Sequence, residues 1–451
     1  MAQQQSSISD TQIQALNEAL EQGVSPQVSM MLNSLSSADI AHLLESSPPK
    51  IRTLIWQLLE KELAAEVLQE LGDDLRQFYL EQMNVDEVAA LTENIDTDDL
   101  ADMLQLLPDT ITRQVLASMD AQDRHRVEQV LSYPEDTAGG LMNTDMITVR
   151  PSNTLDVVFR YLRRHPELPE MTDALLVVNR RDEFIGVLPI SKMLTTHPSI
   201  SVREVMQTDI QAIPASMPAN KVAQLFERQD LVSAPVVDDE GKLVGRITVD
   251  DVVDVIREEG DHSLMSMAGL DEDADTFAPV LKTARSRAIW LGINLLTAFI
   301  ASGVIGMFQD TIDKVVALAV LMPIVASMGG IAGSQTLTLV IRAMALGQIG
   351  QSNVRWLISR ECIVGFLNGC LWAIVVSIAA MLWFKDPIIS TVIALAMVAN
   401  MLVAAIAGAG LPLLLKAMRI DPALAGSVVL TTVTDVVGFV AFLGLASYFF
   451  G

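Results

Sequence analysis

A single acidic residue, Asp435, lies in the otherwise apolar stretch LTTVTDVVGFVAF at residues 430–442. It falls about 12 residues into a run long enough to cross a bilayer, which puts it about 18 Å along a helix axis and near the bilayer middle. An unpaired carboxylate at that depth costs roughly 3 kcal/mol. The run contains no basic residue, and Arg342 and Arg360 belong near the ends of other runs. A cation from solution is the favoured partner, and the alternative is a protonated Asp435 hydrogen-bonded between helices.

Hydroxyl groups lead up to this acid. Thr431 lies one helical turn earlier, Ser427 lies a further turn back, and Thr434 is adjacent in sequence. Oxygen ligands favour hard cations such as Mg²⁺, which keeps several waters and commonly binds through one or two carboxylates. One aspartate from each of two subunits would provide them. The pattern therefore predicts a hydrated pathway for a divalent cation.

The elements that must position Asp435 are apolar segments of about 20 residues or more, each long enough to span a membrane. Five are predicted, at Ala288–Met307, Val315–Val340, Cys362–Phe384, Ile388–Leu415 and Ala423–Phe450. Lys and Arg cluster before the first, between the second and third, and after the fourth. By the positive-inside rule the N-terminus is cytoplasmic and the C-terminus is outside, as in a multi-pass protein of the cell inner (plasma) membrane.

Charge and composition exclude several classes of protein. The net charge is −25, although 51% of the residues are hydrophobic, and the acids are concentrated before about residue 280. An acidic surface repels nucleic acid and attracts cations. MAQQQSSISD lacks the features of a cleavable signal peptide, and the two cysteines share one apolar run, which excludes a zinc motif or disulfide framework. We find no phosphate-binding loop motif and only one deep carboxylate, where an aspartyl hydrolase needs two, so no enzyme activity is expected.

Residues 137–256 contain a repeat, in which the pattern Met-x-Thr-Asp at 142–145 recurs at 206–209. Each copy continues with a helical stretch and two short strands joined by a turn. The pair resembles tandem CBS domains, most specifically in GRITVDD at 245–251. That resemblance implies that Thr248 and Asp251 bind an adenine nucleotide such as ATP. The first copy has GVLPISK at the same place, so nucleotide is expected in the second copy alone.

Acidic helices flank this repeat. Residues 1–132 are predicted to form short amphipathic helices, stacked in pairs as a small superhelix, because segments such as SADIAHLLESS and TDDLADMLQLL resemble each other. After the repeat, Asp250, Asp254 and Glu258 follow one another at one-turn spacing. Like charges at that spacing destabilise a helix by several tenths of a kcal/mol per pair. A divalent cation would remove the repulsion on this ridge, which is expected to lead directly into the first span.

The complete order resembles the MgtE family of magnesium transporters and channels. It comprises an acidic α-helical superhelical domain at 1–132, α/β tandem CBS domains at 133–256, a connector (plug) helix at 257–286 and a five-helix α transmembrane domain at 287–451. YPEDTAGGLM at 133–142, PIVASMGGIAGSQ at 323–335 and TTVTDVVGF at 431–439 carry the resemblance. It covers essentially the whole chain.

The resemblance implies a homodimer with a pore between the subunits, in which Asp435 holds hydrated Mg²⁺. The candidate pore-lining residues are Ser427, Thr431, Thr434, Pro323, Gly329, Gly330, Gly333 and Gln335. It also implies that cytosolic Mg²⁺ closes the pore by bridging acids of the soluble parts and the connector. The candidate regulatory or accessory ligands are Asp99, Asp250, Asp251, Asp254, Glu258, Glu259, Asp261 and Asp421. Ile331 and Ser427 stand where the family often has Asn, so selectivity or conductance could differ from better-known members.

The predicted function is therefore Mg²⁺ uptake through a pathway gated by cytosolic Mg²⁺, with Mg²⁺ ions and membrane lipid as partners. The membrane potential favours inward movement of a double charge by roughly 4.6 kcal/mol at 100 mV. Two alternatives remain open at this point: an exchanger coupled to another ion, and a membrane-anchored Mg²⁺ sensor without transport. The sequence also leaves open the choice among Mg²⁺, Mn²⁺ and Co²⁺.

Overall fold

The computed structural model describes residues 30–91, 95–164, 168–169, 171–270, 275–350 and 352–450. The chain divides into two compact units, Met1–Gly260 with Asp273–Pro279, and Asp261–Glu272 with Val280–Gly451. Residues 1–29 of the predicted N-terminal domain and residues 271–274 of the predicted connector lie outside the described residues.

The first unit begins with short helices, as the amphipathic pattern predicts. They are α1 (Ser37–Glu45), α2 (Pro49–Leu58), α3 (Lys61–Glu70), α4 (Asp73–Leu80), α5 (Val85–Leu91), α6 (Thr97–Gln105), α7 (Asp109–Ser118) and α8 (Ala121–Val130). Ser36 caps α1 by accepting a hydrogen bond from Asp39 N–H, and Pro49 begins α2, where no donor is needed. One buried stripe per helix joins a shared core that includes Leu43, Leu68 and Leu104.

The repeat at 137–256 forms two similar α/β copies. The first contains β1 (Thr148–Val149), α9 (Leu155–Leu162), β2 (Ala174–Val178), β3 (Phe184–Pro189) and α10 (Ile190–Thr195). The second contains α11 (Val202–Val205), β4 (Ile213–Pro214), α12 (Ala219–Gln229), β5 (Ser233–Val237) and β6 (Leu243–Thr248). In each three-stranded sheet the first strand pairs in parallel with the second, which pairs antiparallel with the third. Asp182 and Gly241 turn the two hairpins with positive φ.

Helix α13 (Val249–Met267) starts directly after β6, and the division between the two units falls within it. It ends in a Schellman motif. Gly269 has φ +68°, its N–H donates to Ser266 O, and Leu270 N–H donates to Met265 O. Because this motif stops the helix, the acidic ridge does not run directly into the first span as expected, and the next helix in the described part of the chain starts at Val280.

The second unit contains the apolar helices. They are α14 (Val280–Gly306), the short α15 (Gln309–Lys314), α16 (Ala317–Ala345), α17 (Val354–Phe384), α18 (Pro387–Ala417) and α19 (Pro422–Phe450). Among the described residues, the five long helices have mean hydropathies of 1.8 to 2.3 and are long enough to cross a membrane. The prediction of five spans is confirmed, although α14, α16 and α17 extend past the predicted ends to include charged residues.

Helix α18 lies at the centre of this unit. Val392, Ile393 and Ala396 on α18 are fully buried in one core with residues of α16 and α19. Small residues permit the close contacts. A methyl group added at Gly365 would lie 2.6 Å from Ala405 Cβ, and one at Gly408 would lie 2.6 Å from a backbone oxygen of α16. Most glycines of the spans therefore serve helix packing.

Candidate functional site

Asp435 lies inside α19 and is half-buried. Of the two arginines considered as its partners, Arg360 instead pairs with Glu361, with 2.8 Å between Arg360 Nη1 and Glu361 Oε1. Within the part of the chain that the structure describes, Asp435 has no ion-pair partner. The carboxylate therefore keeps the property that the sequence suggested, a deep negative charge without a fixed counter-charge.

The hydroxyl residues around Asp435 divide between two sides of α19. Thr431 is exposed and Ser427 is half-buried, one and two turns before the acid. Thr434 is fully buried, and its Oγ1 donates to Thr431 O over 3.0 Å. Successive residues of a helix point about 100° apart, so Thr434 faces the helix bundle when Asp435 does not. This corrects the expectation that Thr434 lines the same pathway as Thr431.

The candidate pore residues of α16 divide in the same way. Pro323 and Gln335 are exposed, and the space beside Gly330 is open. Gly329 and Gly333 are buried instead. A methyl group added at Gly329 would clash with Asn400, and one added at Gly333 would lie in tight contact with Leu430, 3.0 Å from its Cδ1. These two glycines pack helices together rather than line a pathway, which corrects their assignment.

Asn400 was not singled out from the sequence. It is fully buried on α18, and its Nδ2 donates to Val325 O on α16 over 2.8 Å. Its Oδ1 has no hydrogen-bond partner. The side chain fills the space between Gly329 and Gly438, which lies one turn after Asp435. The sequence did contain a signal for this contact, because Asn400 is a lone amide in the middle of the fourth apolar segment. Polar side chains in membrane helices usually form hydrogen bonds with another helix.

Glu361 was missed as well. The predicted third span began at Cys362, but α17 starts at Val354 and therefore contains both Arg360 and Glu361. Glu361 is 5% exposed and accepts a hydrogen bond from Thr336 Oγ1 at 3.3 Å, besides its ion pair with Arg360. Glu361 is therefore a second acid within a spanning helix, although it lies closer to the end of its helix than Asp435 does. Ionisable residues within spans are functional-site candidates by default.

The last two turns of α13, within the second unit, contact the starts and ends of spanning helices. Ser427 Oγ donates to Met267 O at 3.3 Å, and the Met267 side chain packs against residues that include Leu337 and Leu430. His262 Nε2 lies 3.0 Å from Asp421 Oδ2. Asp421, a candidate ligand from the sequence, is thus paired with a histidine of α13. These contacts hold the end of α13 against α16 and α19, close to Ser427 and two helical turns before Asp435.

A second group of acids lies in the first unit, and we call it the acidic face. Its members are Asp96, Asp98, Asp99, Asp102, Glu135 and Asp251. Asp98 is 8% exposed, and its Oδ1 has no hydrogen-bond partner among the residues that the structure describes. Burial and the charges of Asp251, Asp99 and Asp96 hold the pKa of Asp98 well above its ordinary value. The fold thus brings the first turn of α6 to the first turn of α13.

The same causes act on the other members. Burial raises the pKa of Asp251 to about 7, with Asp250 and Asp99 as repelling neighbours. Burial and Asp96 raise the pKa of Asp99 to about 6. Burial, Glu135 and Asp99 raise the pKa of Asp102 to about 8, although Arg76 opposes this. A buried carboxyl group with other acids beside it is less stable in its ionised form, so it favours the binding of a proton or a cation.

The candidate ridge on α13 is exposed at Asp250, Asp254 and Glu258, and Asp261 is exposed too, whereas Glu259 is half-buried. Asp254 pairs weakly with Arg257 at 3.5 Å. Among the residues that the structure describes, no three Asp, Glu, His or Cys side chains are arranged to bind one metal ion directly.

The two residues assigned to nucleotide contact each other. Asp251 Oδ2 accepts hydrogen bonds from Thr248 N–H at 3.1 Å and from Thr248 Oγ1 at 3.0 Å. Thr248 is buried, and Asp251 faces other acids, which repel phosphate. Nucleotide binding at these residues stays a prediction.

The segment before α14 is tied to the helical part of the first unit. Arg52 is 4% exposed and binds Asp275 through two hydrogen bonds, one of them 2.8 Å from Nη2 to Oδ1. Its Nε donates to Leu44 O at 2.7 Å, and its guanidinium lies 5.7 Å from the Phe277 ring centre. Nothing local in the sequence indicated this clamp.

Comparison with known proteins gives matches along most of the chain. A model described as a divalent cation transporter, MgtE, matches residues 322–445. The MgtE intracellular N domain matches residues 35–136, and the CBS domain matches residues 138–196 and 202–258. The matched segments follow the order of the helical part, the two α/β copies and the spanning helices.

Individual relatives agree with these models. The chain is 31% identical over 437 residues to the magnesium transporter MgtE of Thermus thermophilus, covering 96% of this chain and 97% of that relative. It is 26% identical over 419 residues to the magnesium transporter MgtE of Bacillus subtilis, covering 93% of each. A crystal structure of the cytosolic domain of the Mg²⁺ channel MgtE in complex with ATP is 32% identical, with a TM-score of 0.49, and covers 54% of this chain and 99% of that one.

Proposed function

The chain belongs to the MgtE family of magnesium transporters, and from this premise we propose that it is a Mg²⁺ uptake channel that cytosolic Mg²⁺ closes. Its relatives of matching length are magnesium transporters, and its five apolar helices make it a multi-pass membrane protein. We orient it with the N-terminus in the cytoplasm, because the basic residues of the spans cluster on one side.

The observation that carries the proposal is Asp435. A half-buried carboxylate in a spanning helix without an ion-pair partner needs a counter-charge, and a passing cation supplies one. Hydrated Mg²⁺ suits a site with a single carboxylate per chain, because the ion retains most of its waters. Thr431 and Ser427 on the same side of α19 offer hydroxyl oxygens along the path to those waters.

We place the pathway between two copies of the chain. In one copy Thr431 is exposed and Asp435 is only half-buried, so one copy does not enclose a pore around them. A symmetric pair would bring two Asp435 carboxylates to the axis, the number that a hydrated Mg²⁺ commonly uses. Pro323 and Gly330 remain the candidates of α16 for the same pathway, whereas Gln335 lines a separate cavity between α16, α17 and α18.

Gating is assigned to the acidic face and to α13. At low cytosolic Mg²⁺ the ionised acids repel each other, and at high Mg²⁺ hydrated ions neutralise them and stabilise the packed arrangement of α6 and α13. Since the end of α13 contacts Ser427 through Met267, this packing would hold the pathway closed. The ion acts by binding one conformation better than the other, which shifts the population.

Flux measurements in liposomes test the pathway. Asp435→Asn should abolish Mg²⁺ uptake, whereas Asp313→Asn, an exposed acid in the same unit, should leave it within about twofold, as expected for a surface change. Uptake by Asp435→Asn at the wild-type rate would show that the carboxylate is not on the path. A current that needs an opposing ion gradient would favour the coupled exchanger, and absence of flux in the wild type would favour the sensor.

The gate is tested separately. In a variant carrying Asp250→Asn, Asp254→Asn and Glu258→Gln, closure should require more cytosolic Mg²⁺ than in the wild type, because three charges of the ridge are gone. The maximal flux should not change, since Asp435 is intact. Closure at the wild-type Mg²⁺ concentration would refute the sensing role of the ridge.

A further inference from the structure

A cavity of about 590 Å³ lies between α16, α17 and α18 in the second unit, apart from Asp435. This volume is within the range of about 300–1,000 Å³ found for ligand pockets. Its polar end is formed by Arg360, Glu361 and Thr336, and its long wall consists mainly of apolar residues such as Leu339 and Trp372, together with the amides Gln335 and Asn368. We propose that this cavity binds one anionic phospholipid, with the phosphate on Arg360 and an acyl chain along the apolar wall.

The depth of Arg360 matches a lipid phosphate. Helix α17 has 31 residues, so at 1.5 Å per residue it is about 46 Å long, and the hydrocarbon core covers only about 30 Å of it. The midpoint of the helix is near Gly369. Arg360 therefore lies about 13 Å from the bilayer middle, at the boundary between the headgroups and the hydrocarbon core. It shares this leaflet with Arg355.

The apolar wall follows an acyl chain from that boundary to the bilayer middle. From Arg360 to Trp372 the helix rises about 18 Å, close to the thickness of one leaflet of hydrocarbon. Ile331 and Leu339 on α16 are 57% and 48% exposed at the other wall. The outer side of α17 is apolar as well and carries exposed residues such as Leu367.

Glu361 prepares Arg360 for this ligand. The carboxylate is buried and holds Arg360 Nη1 at 2.8 Å, while Thr336 Oγ1 donates to its other oxygen. About half of the Arg360 side chain stays exposed, 49% against 7% for Glu361. A guanidinium fixed on one edge can present its other donors to a phosphate as a pair of charge-assisted hydrogen bonds. Neutral headgroups whose phosphate is shielded by a bound cationic amine lack this net attraction.

Quenching of Trp372 fluorescence by brominated acyl chains tests the proposal, because bromine quenches only on contact. In the full chain Trp372 is kept and the other four tryptophans, Trp56, Trp290, Trp356 and Trp383, are replaced by Phe. This protein is placed in phosphatidylcholine vesicles that contain brominated phosphatidylglycerol or brominated phosphatidylcholine. The anionic lipid should quench with about fivefold higher apparent affinity, the ratio expected for one well-placed basic residue. Inorganic phosphate should not compete, since it lacks the chain.

Three variants identify the site. Arg360→Gln alone leaves Glu361 buried without its arginine, so the double variant Arg360→Gln with Glu361→Gln is used, and its preference should fall to near one. Arg355→Gln removes the same charge from an exposed position on the same helix and should keep the preference. Equal quenching by both lipids, or an equal loss with Arg355→Gln, would overturn the proposal. No quenching by either lipid would also overturn the proposal, because no acyl chain would then lie beside Trp372.

Discussion

Replacing Asp251 by Asn tests whether the acidic face destabilises the first unit when Mg²⁺ is absent. Asp251 lies at the start of α13, where burial and the acids Asp250 and Asp99 raise its pKa to about 7. Near pH 8 it is ionised in a place that disfavours the charge. Asn removes the charge and keeps an oxygen that can accept the two hydrogen bonds from Thr248.

The size of the effect follows from the pKa. The folded-state value exceeds the ordinary value of 3.8, so the folded protein binds the proton more tightly than the unfolded chain does. Stability is therefore greatest at low pH and decreases as the pH rises toward 7. The full difference corresponds to about 4 kcal/mol at pH 8. Weaker hydrogen bonds to a neutral amide offset about 2 kcal/mol, which leaves a gain of about 2 kcal/mol.

Thermal unfolding of the full chain in detergent at pH 8 measures this gain, followed by circular dichroism with excess EDTA and again with excess MgCl₂. For a unit of this size, the gain corresponds to a Tm higher by about 4–8 °C in EDTA. The increase in Tm on adding Mg²⁺ should be smaller for Asp251→Asn than for the wild type, because less repulsion remains for the ion to relieve.

The matched control is Asp209→Asn, which removes an exposed acid from the same unit. Its stability should stay within about 0.5 kcal/mol of the wild type. If Asp251→Asn is no more stable than the wild type in EDTA, repulsion among the carboxylates of the acidic face does not destabilise the folded first unit. The same conclusion follows if Asp209→Asn gains as much.

Three further outcomes are expected. In EDTA, the wild-type Tm should rise by several degrees as the pH falls from about 8 to about 6, because Asp102 and Asp251, with pKa values of about 8 and about 7, take up protons; a flat profile from thermal unfolding would contradict this. Arg52→Gln should destabilise the first unit by about 3–5 kcal/mol, since Asp275 loses its buried partner, whereas the exposed Arg113→Gln serves as the neutral comparison in chemical denaturation. Asn400→Leu should shorten the half-life of Mg²⁺ flux on heating. The variant loses the hydrogen bond to the α16 backbone, and the larger side chain overfills the space between two glycines at a cost of about 1–3 kcal/mol. An unchanged half-life would show that Asn400 does not stabilise the packing of α16 and α18.

The apolar run lengths and the repeat predicted most of the architecture correctly. Five spans, two similar α/β copies and an acidic helical region were each visible, because a span or a strand is recorded in consecutive residues. The ends of the spanning helices were predicted less accurately. The predicted third span began at Cys362, yet α17 starts at Val354 and includes the ion pair of Arg360 and Glu361, because a helix of 31 residues is longer than the hydrocarbon core.

The candidate site divides in a similar way. A helical wheel predicts that Thr431 and Ser427 share one side of α19 with Asp435. Adjacency in sequence was a poor guide for Thr434, because the 100° turn per residue directs it into the bundle, where it is fully buried. Gly329 and Gly333 looked like pathway residues and are contact points for α18 and α19. Whether a small residue faces water or another helix depends on neighbours that the sequence does not specify.

The sequence alone determined that this chain has five spans with one acid deep in the last, because hydrophobicity and charge are properties of each residue in place. Only the tertiary structure decided which distant charges meet. Asp98 and Asp251 share one buried face, and Arg52 binds Asp275, although long segments separate each pair. Such pairs form when independent elements pack on a common core, and electrostatic energy depends on the resulting distance and burial rather than on separation along the chain.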